Sequence, residues 1–483
     1  MALYSGVLLT GCMAGPNYHT PAAPNTHSYT HTPDNTKTVK TSGLPNSGKA
    51  QQLVTADVPA EWWELFHSAE LNNLVRIGLA NSPNVIAAEA ALKQAQETLN
   101  ASIGTALFPS VSAQLIGGRE RGTTVSIPGI SNSITNLYNP SINIAYTLDF
   151  FGAARRELES LRAQVDFSQF QLEAANLNLT SNIVTTAINS ASLRAQIDAT
   201  KEIIKLQSNQ LRIVKQQFQL GGASGGDVFQ QENQLAQTIA TLPPLQQNLE
   251  QSLHALAVLV GSLPSEIDLP KFNLHKLYLP AKLPLTLPST LAKQRPDIRA
   301  AEALLHSASA QIGVATANLY PQITLSGSYG WLSNTPNGLF SYRNVVWNYM
   351  GQVLQPIFNG GALMAKKRGA VDAFQQAAAQ YRQTVIQAFQ NVADTLTAIH
   401  NDAKLLQAQN NAEIAAEKSL KLTQQQYRLG GVNYINLLVA EQQYQQSKIA
   451  SIRAQASRFT DTAGLFQALG GGWWSRDIKK CEG

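Results

Sequence analysis

The sequence predicts a mixed α+β membrane protein made of two internal repeats, each combining long helices with a pair of short strands. Three observations predict this class. Two long stretches without proline have helical composition, several short segments alternate apolar and polar residues, and both kinds of segment recur about 210 residues further along the chain. The recurrence is the strongest of the three, because the same order of helices and strands must then hold in both halves of the chain.

The internal duplication rests on three matches that occur in the same order. They are separated by 213, 212 and 209 positions. The matching pairs are NSPNVIAAEAAL (81–92) with QRPDIRAAEALL (294–305), ALFP (106–109) with NLYP (318–321), and QFQLGG (217–222) with QYRLGG (426–431).

These matches divide the chain into six segments. They are a possible signal peptide (1–11), an extended N-terminal strap (12–60), a first repeat (61–263), a Pro-rich connector (264–288), a second repeat (289–474) and a tail (475–483). Within each repeat we expect a helix (70–107 or 289–319), two strands, a long helix, a glycine break and a returning helix. A helix from about 153 to 220 would be roughly 100 Å long.

The candidate strands have one apolar face and one polar face. They are SVSAQLIGG (110–118), SINIAYTL (141–148), QITLSGSYGW (322–331) and WNYMGQVL (347–354), with Gly-, Asn- and Ser-rich loops at 119–139 and 333–344. Such segments are typical of outer-membrane barrel strands, and their Gln, Thr, Ser and Asn faces suit a water-filled lumen. An ordinary half-buried sheet remains the alternative. The candidate aromatic belt is Tyr329, Trp331, Trp347 and Tyr349.

Composition limits the class of protein further. Charged residues make up 14% of the chain, against about 25% in ordinary soluble proteins. No apolar run reaches the 18 to 20 residues of a transmembrane helix, so a membrane-spanning form would require a closed barrel. Four strands cannot close one, which predicts pairing between two, three or four copies of the chain. Few clustered basic residues occur, which argues against nucleic-acid binding.

The N-terminus predicts lipidation. Leu9-Thr10-Gly11-Cys12 resembles a bacterial lipobox, in which Cys12 becomes the lipid-bearing first residue, although the preceding segment is short and lacks Lys or Arg. A chance cysteine after a small residue is the alternative. The Pro-, Thr- and Asn-rich segment that follows predicts an extended strap.

Taken together, the repeat with its paired LGG breaks, the lipobox followed by GPNY (15–18), and ALGGGW (468–473) resemble the outer-membrane efflux protein family, a TolC-like class. Within it the chain resembles the lipoprotein branch of NodT and OprM, over about residues 12 to 474. The resemblance implies a homotrimer with a 12-stranded outer-membrane β-barrel that continues into a 12-helix periplasmic α-barrel. It also implies a periplasmic adaptor, an inner-membrane pump of the RND type, and a passive exit duct for drugs or solutes.

Each repeat contains a glycine pair that should turn a helical hairpin: Gly221-Gly222 and Gly430-Gly431. The first glycine of each pair suits a left-handed helix C-terminal position, and Asp227 with Gln230 could cap the returning helix. By resemblance these tips contact the adaptor, and the second one closes the tunnel.

The candidate constriction lacks the acids that relatives commonly place there. It comprises Asn433, Ile435, Asn436 and Val439, with Asp227 as the residue through which the first repeat could supply a carboxylate. We therefore expect a gate closed by packing and side-chain amides, with a weaker cation preference than in acidic relatives.

No arrangement of residues predicts an enzyme, a metal site or a cofactor, apart from the covalent lipid expected on Cys12. Two alternatives to an efflux duct remain: the exit duct of a protein-secretion system, and a periplasmic coiled-coil lipoprotein of structural or adaptor function. The latter predicts no barrel.

Overall fold

The computed structural model describes residues 13–26, 28–30, 37–125 and 130–476, and the side chains of 122–133 are not described. Cys12, the possible signal peptide and nearly all of the tail lie outside the described residues. The helices are α1 (Ala69–Asn81), α2 (Pro83–Leu107), α3 (Ala153–Gln219), α4 (Gly225–Ala240), α5 (Leu242–Leu259), α6 (Pro288–Gln294), α7 (Pro296–Ala317), α8 (Ala362–Arg428) and α9 (Tyr434–Ala468). The strands are β1 (Gln52–Val54), β2 (Ser110–Val125), β3 (Ile130–Leu148), β4 (Lys282–Pro284), β5 (Gln322–Trp331) and β6 (Val345–Leu354).

The chain forms two compact units. The first comprises residues up to 21, 91–169 and 300–382, and the second comprises the intervening segments and the C-terminal part from 383. Among the described helices, none contains the sustained apolar stretch that a membrane-spanning helix requires.

The first unit contains an antiparallel sheet of four strands in the order β2-β3-β5-β6. Ile142 lies opposite Ala113 on one side and Tyr329 on the other, and Tyr329 lies opposite Trp347. Because side chains alternate along each strand, this register places most of the large apolar residues on one face of the sheet. The exposed members of that face include Val111, Leu115, Ile142, Ile144, Leu325, Tyr329, Trp347, Tyr349 and Val353.

The opposite face of this sheet carries rows of polar side chains. Asn143 lies opposite Ser328, which lies opposite Asn348. The hydroxyls of Thr147 and Thr324 are 3.4 Å apart. The alternation read from the sequence therefore continues across the sheet, although β6 also places Met350 and Leu354 on this polar face.

The expected loop at 119–139 is wrong in extent. β2 continues to Val125 and β3 begins at Ile130, with residue pairs running to Val125 opposite Ile130. Gly, Asn and Ser suggest a loop when the segment is considered alone. In an antiparallel pair the backbone supplies the hydrogen bonds, so the ladder can extend through residues of low strand propensity.

Two expected helices are each interrupted at a proline. The helix expected over 70–107 is divided between α1 and α2 at Ser82, and the one over 289–319 between α6 and α7 at Arg295. Both residues have extended backbone conformations, with ψ angles of 121° and 128°. A residue that precedes proline is sterically disfavoured in the helical region, which accounts for both breaks.

The second unit has a hydrophobic core built from aromatic residues of distant segments. Trp62 stacks on Phe466 with ring centroids 5.3 Å apart, and Phe66 packs against Phe459 at 6.3 Å. In the same unit, β1 from the strap pairs in parallel with β4 from the Pro-rich connector. This small sheet holds two segments for which the sequence predicted no strand.

Candidate functional site at the hairpin ends

Both glycine pairs end a 67-residue helix in the same way. Gly221 and Gly430 have φ angles of +74° and +75°, a conformation that glycine adopts without a steric penalty. The next glycine in each pair returns a hydrogen bond to the helix: Gly222 N donates to Gln217 O at 2.8 Å, and Gly431 N donates to Gln426 O at 2.8 Å. These bonds form Schellman motifs, which satisfy the last carbonyls of α3 and α8 and turn the chain.

The first returning helix, α4, begins with a capping box. Ser224 Oγ accepts the Asp227 N–H at 3.1 Å, and Asp227 Oδ2 accepts the Ser224 N–H at 2.9 Å. Asp227 therefore takes part in capping the returning helix, as the sequence predicts. Its expected place as the N-cap, with Gln230 three residues later, is wrong, because Ser224 occupies that position and Asp227 lies one turn inside the helix. In a capping box, the hydroxyl of an N-cap serine accepts the amide N–H of the third helical residue. The carboxylate of that third residue accepts the amide N–H of the N-cap in return.

The second returning helix, α9, has only half of this arrangement. Asn433 is the N-cap, and its Oδ1 accepts the N–H of Asn436 at 3.1 Å. Two residues of the candidate constriction are thus joined by a cap that carries no charge. Asp227 is bonded within its own hairpin and not to either asparagine.

The candidate gate residues that follow lie on the exposed side of α9. Ile435 is 54% exposed and Val439 is 47% exposed, four positions apart and therefore on one helix face. Tyr434, Leu437 and Ala440 lie on the opposite, buried face.

The buried face of α9 packs against the first hairpin through a small core, which we call the hairpin core. Its buried hydrophobic members are Val214, Val228, Leu420, Tyr434, Leu437 and Ala440. Polar bonds cross the same boundary. Tyr427 Oη donates to Gln217 Oε1 at 3.0 Å, and Tyr434 Oη donates to Gln231 Oε1. Both links join the first repeat to the second.

The GPNY segment (15–18), near the beginning of the N-terminal strap, docks on the first unit. Arg156 donates to Asn17 Oδ1 at 2.7 Å and to Ala14 O at 3.2 Å, and it forms an ion pair with Glu159 at 2.6 Å. The ring of Tyr18 stacks on His306 at 4.2 Å. Ala14 N also donates to Phe151 O at 3.0 Å, which fixes the chain immediately after position 12.

The four aromatic residues named from the sequence cluster on adjacent strands. Tyr329 lies directly opposite Trp347, Trp347 stacks on Tyr349 at 5.8 Å, and Tyr329 meets Trp331 edge-on at 5.6 Å.

The sequence matches a known protein family over most of its length. The family model for outer membrane efflux proteins matches residues 74–262 and 287–471. The chain belongs to the outer membrane efflux protein family. It is accordingly an outer-membrane channel protein of an efflux system.

Relatives of this efflux channel protein align along nearly its whole length. The pyoverdine export outer membrane protein OpmQ of Pseudomonas aeruginosa is 28% identical over 424 residues, covering 86% of this chain and 88% of that protein. Nodulation protein T of Rhizobium leguminosarum bv. viciae is 28% identical over 474 residues, covering 97% and 92%. The outer-membrane channel OprN has a similar structure, with a TM-score of 0.86 and 25% identity over 96% of this chain and all of that one.

Sequence reasoning on this channel protein missed two buried groups. Arg458, 1% exposed, donates to Ser47 O at 2.8 Å and to Lys49 O at 3.1 Å, and so holds the strap against α9. Glu441, 6% exposed, lies beside the hairpin core. A spacing signal existed for the second: Tyr434, Leu437 and Glu441 follow the i, i+3, i+7 pattern of a buried helix face.

Proposed function

We propose that the chain is the passive trimeric exit duct of a tripartite efflux system. The observation that carries this proposal is the four-stranded sheet of the first unit, in which β2 and β6 each have one neighbour among the described residues. An unpaired edge cannot lie in hydrocarbon, so β2 of one copy would pair with β6 of the next. Three copies give the 12 strands that we infer for the barrel.

The two faces of the sheet support this arrangement. The exposed apolar face, with its clustered Tyr329, Trp347 and Tyr349, suits lipid and the membrane interface. The Asn143–Ser328–Asn348 row suits a wet lumen. The helices would then form a 12-helix α-barrel in the periplasm, with the hairpins at its far end.

The trimer is tested by electrophoresis of protein extracted from outer membranes in mild detergent. The unheated sample should migrate near three times the chain mass of 52.2 kDa, and the boiled sample as a single chain. Mass photometry of the unheated sample checks the stoichiometry independently. A monomer in both measurements would contradict the proposal and favour the coiled-coil alternative.

The adaptor contact is proposed at the hairpin ends. Leu220 and Leu429 immediately precede the left-handed glycines, and each is 87% exposed. Two exposed leucines at corresponding positions suit docking of an adaptor, which would deliver solutes from an inner-membrane pump of the RND type. Leu220→Asp with Leu429→Asp should abolish co-purification with the adaptor, while Gln219→Asp, one residue earlier, should leave it intact.

Lipidation of Cys12 is proposed as the membrane anchor. In support, the docked segment that begins at residue 13 contacts Phe151 and Gly152, at the junction between β3 and α3. Acyl chains at position 12 would then start near the periplasmic end of the strands. Mass spectrometry of the mature N-terminal peptide should find a diacylglyceryl group and an amide-linked acyl chain, and Cys12→Ser should remove them.

A further inference from the structure

The side chain of Glu441 is a buried carboxyl group without a compensating cation among the residues that the structure describes. In that part of the chain its Oε2 atom has no hydrogen-bond partner, and the residue is 6% exposed. It lies on α9, two residues beyond the candidate gate residue Val439 and one turn beyond Leu437 of the hairpin core. A carboxylate in such a position is costly unless it is protonated or paired.

The polar neighbours of Glu441 bridge the two hairpins. Gln231 of α4 is fully buried, its Nε2 donates to Gln207 O of α3 at 3.2 Å, and its Oε1 accepts from Tyr434 Oη of α9. Through these two bonds the single amide of Gln231 joins α3, α4 and α9, and the same amide lies next to the carboxyl group of Glu441. The state of Glu441 therefore bears directly on the contact between the hairpins.

Among the described residues, the titratable groups around Glu441 provide no counter-charge. On α3 and α4, Lys215 and Glu232 form an ion pair with each other at 2.7 Å, and Asp227 is held in its capping box. On α8, Lys421 pairs with Glu417 at 2.6 Å, and Tyr427 contributes a neutral phenol. On α9 itself, Tyr434 and Tyr444 are phenols, and Lys448 pairs with Glu413 at 2.7 Å.

Burial raises the pKa of Glu441 from 4.5 to about 7, and the neighbouring amide of Gln231 offsets only part of that rise. In an opened tip, where water reaches the carboxyl, its pKa would return towards 4.5. At a pH between these two pKa values, Glu441 is protonated in the packed tip and ionised in the opened tip. Packing is therefore favoured most at acid pH, weakens as the pH rises through this window, and stays constant above about 7.

We propose that Glu441 is a proton-operated lock on the second hairpin: in its neutral form it holds α9 against the first hairpin, and in its ionised form it releases the gate. The proposal rests on the proposed function, because it assigns the hairpin ends to the closure of a channel. Beyond that function, it proposes that the pH of the periplasm regulates the opening of the gate. From the two pKa values, the ratio of opened to packed tips should rise about twentyfold between pH 5.5 and pH 7.5.

The equivalent glutamate of the first hairpin provides a matched control. Glu232 lies 209 positions before Glu441, but it is 41% exposed and paired with Lys215. Glu441→Gln removes the titration while keeping the shape of the side chain. Glu232→Gln removes a surface charge and leaves the lock unchanged.

The test measures tip separation in the purified full chain. Spin labels at Leu220→Cys and Leu429→Cys, in a Cys481→Ser background, report the distances between hairpin ends by pulsed electron resonance. Distances are measured at pH 5.5 and at pH 7.5. The labelled protein without further changes and the labelled Glu232→Gln variant should both gain a longer-distance population at pH 7.5. Glu441→Gln should stay packed at both pH values. Glu441→Met, neutral and of similar volume, should do the same if the glutamine variant fails to fold.

A pH response of equal size in Glu441→Gln or Glu441→Met would overturn the lock, as would no pH response without these substitutions. Planar-bilayer recordings on the same samples separate this result from the proposed function. Opening should rise with pH in the chain that retains Glu441 and not in Glu441→Gln. If no sample conducts ions, the channel function fails, and the distances alone still decide whether Glu441 controls packing of the tip.

Discussion

At the start of α4, Asp227 donates its N–H to Ser224 Oγ and its carboxylate accepts the Ser224 N–H in return. At the start of α9, Asn436, 209 positions later, donates its N–H to Asn433 Oδ1, and no return bond from Asn433 N–H to Asn436 is seen among the described residues. The two hairpins thus have the same glycine turn, but the first turn of α4 carries a carboxylate and the first turn of α9 does not. A carboxylate near a helix N-terminus is stabilised by the exposed amides and by the helix dipole. The first hairpin end is accordingly the better-anchored of the two.

Asp227→Asn should destabilise the start of α4 by about 1 kcal/mol, because its carboxylate loses the bonds from Ser224 N and Oγ. Hydrogen exchange of the first amides of α4 should accelerate about fivefold at that cost. Asn436→Asp supplies the missing carboxylate opposite Asn433 and should slow exchange at the start of α9. Unchanged exchange in Asp227→Asn would contradict the role of the capping box.

Val439→Asp should increase cation selectivity in planar bilayers. The side chain is 47% exposed on the gate face of α9, and in a trimer it would add a ring of three carboxylates to the tunnel. Reversal potentials in a salt gradient measure the change, and Val439→Asn is the uncharged control. Strong cation selectivity in the unaltered channel that Asp227→Asn abolishes would show instead that the first hairpin supplies the charge.

Leu325→Arg should reduce assembly into the outer membrane, while Thr324→Arg at the neighbouring position should be tolerated. The two residues lie on opposite faces of β5, and Leu325 is on the exposed apolar face. A cation facing lipid costs about 2–4 kcal/mol at the bilayer midplane. The amount of heat-modifiable trimer in membrane extracts compares the two variants, and equal amounts would contradict the assignment of faces.

Arg458→Ala should destabilise the second unit by about 2–4 kcal/mol, because the carbonyls of Ser47 and Lys49 lose a buried charged donor. Burial lowers the pKa of Arg458 to about 10, which still leaves it charged at neutral pH. Urea unfolding followed by the fluorescence of buried Trp62 measures the change.

Arg453→Ala is the matched control for that experiment. Arg453 is exposed and bonds Gln196 Oε1 at 2.9 Å, so its loss should cost no more than about 0.5 kcal/mol. Equal losses in the two variants would show that the strap does not depend on Arg458.

The sequence by itself determined the features that depend on neighbours along the chain. Paired glycines predicted the left-handed turns at 221 and 430, prolines marked the ends of helices, and alternation located all four strands of the large sheet. Each of these signals is local, since it follows from backbone sterics or from a period of two residues. The repeat then made each prediction twice.

Only the tertiary structure decided the rest. The choice of Ser224 over Asp227 as N-cap depends on where α4 begins, and the length of β2 depends on its pairing with β3. The burial of Glu441 against Gln231 depends on a partner 210 positions away. Periodicity can place such a glutamate on an inner helix face, but the proximity of another hairpin, which raises its pKa, follows only from packing.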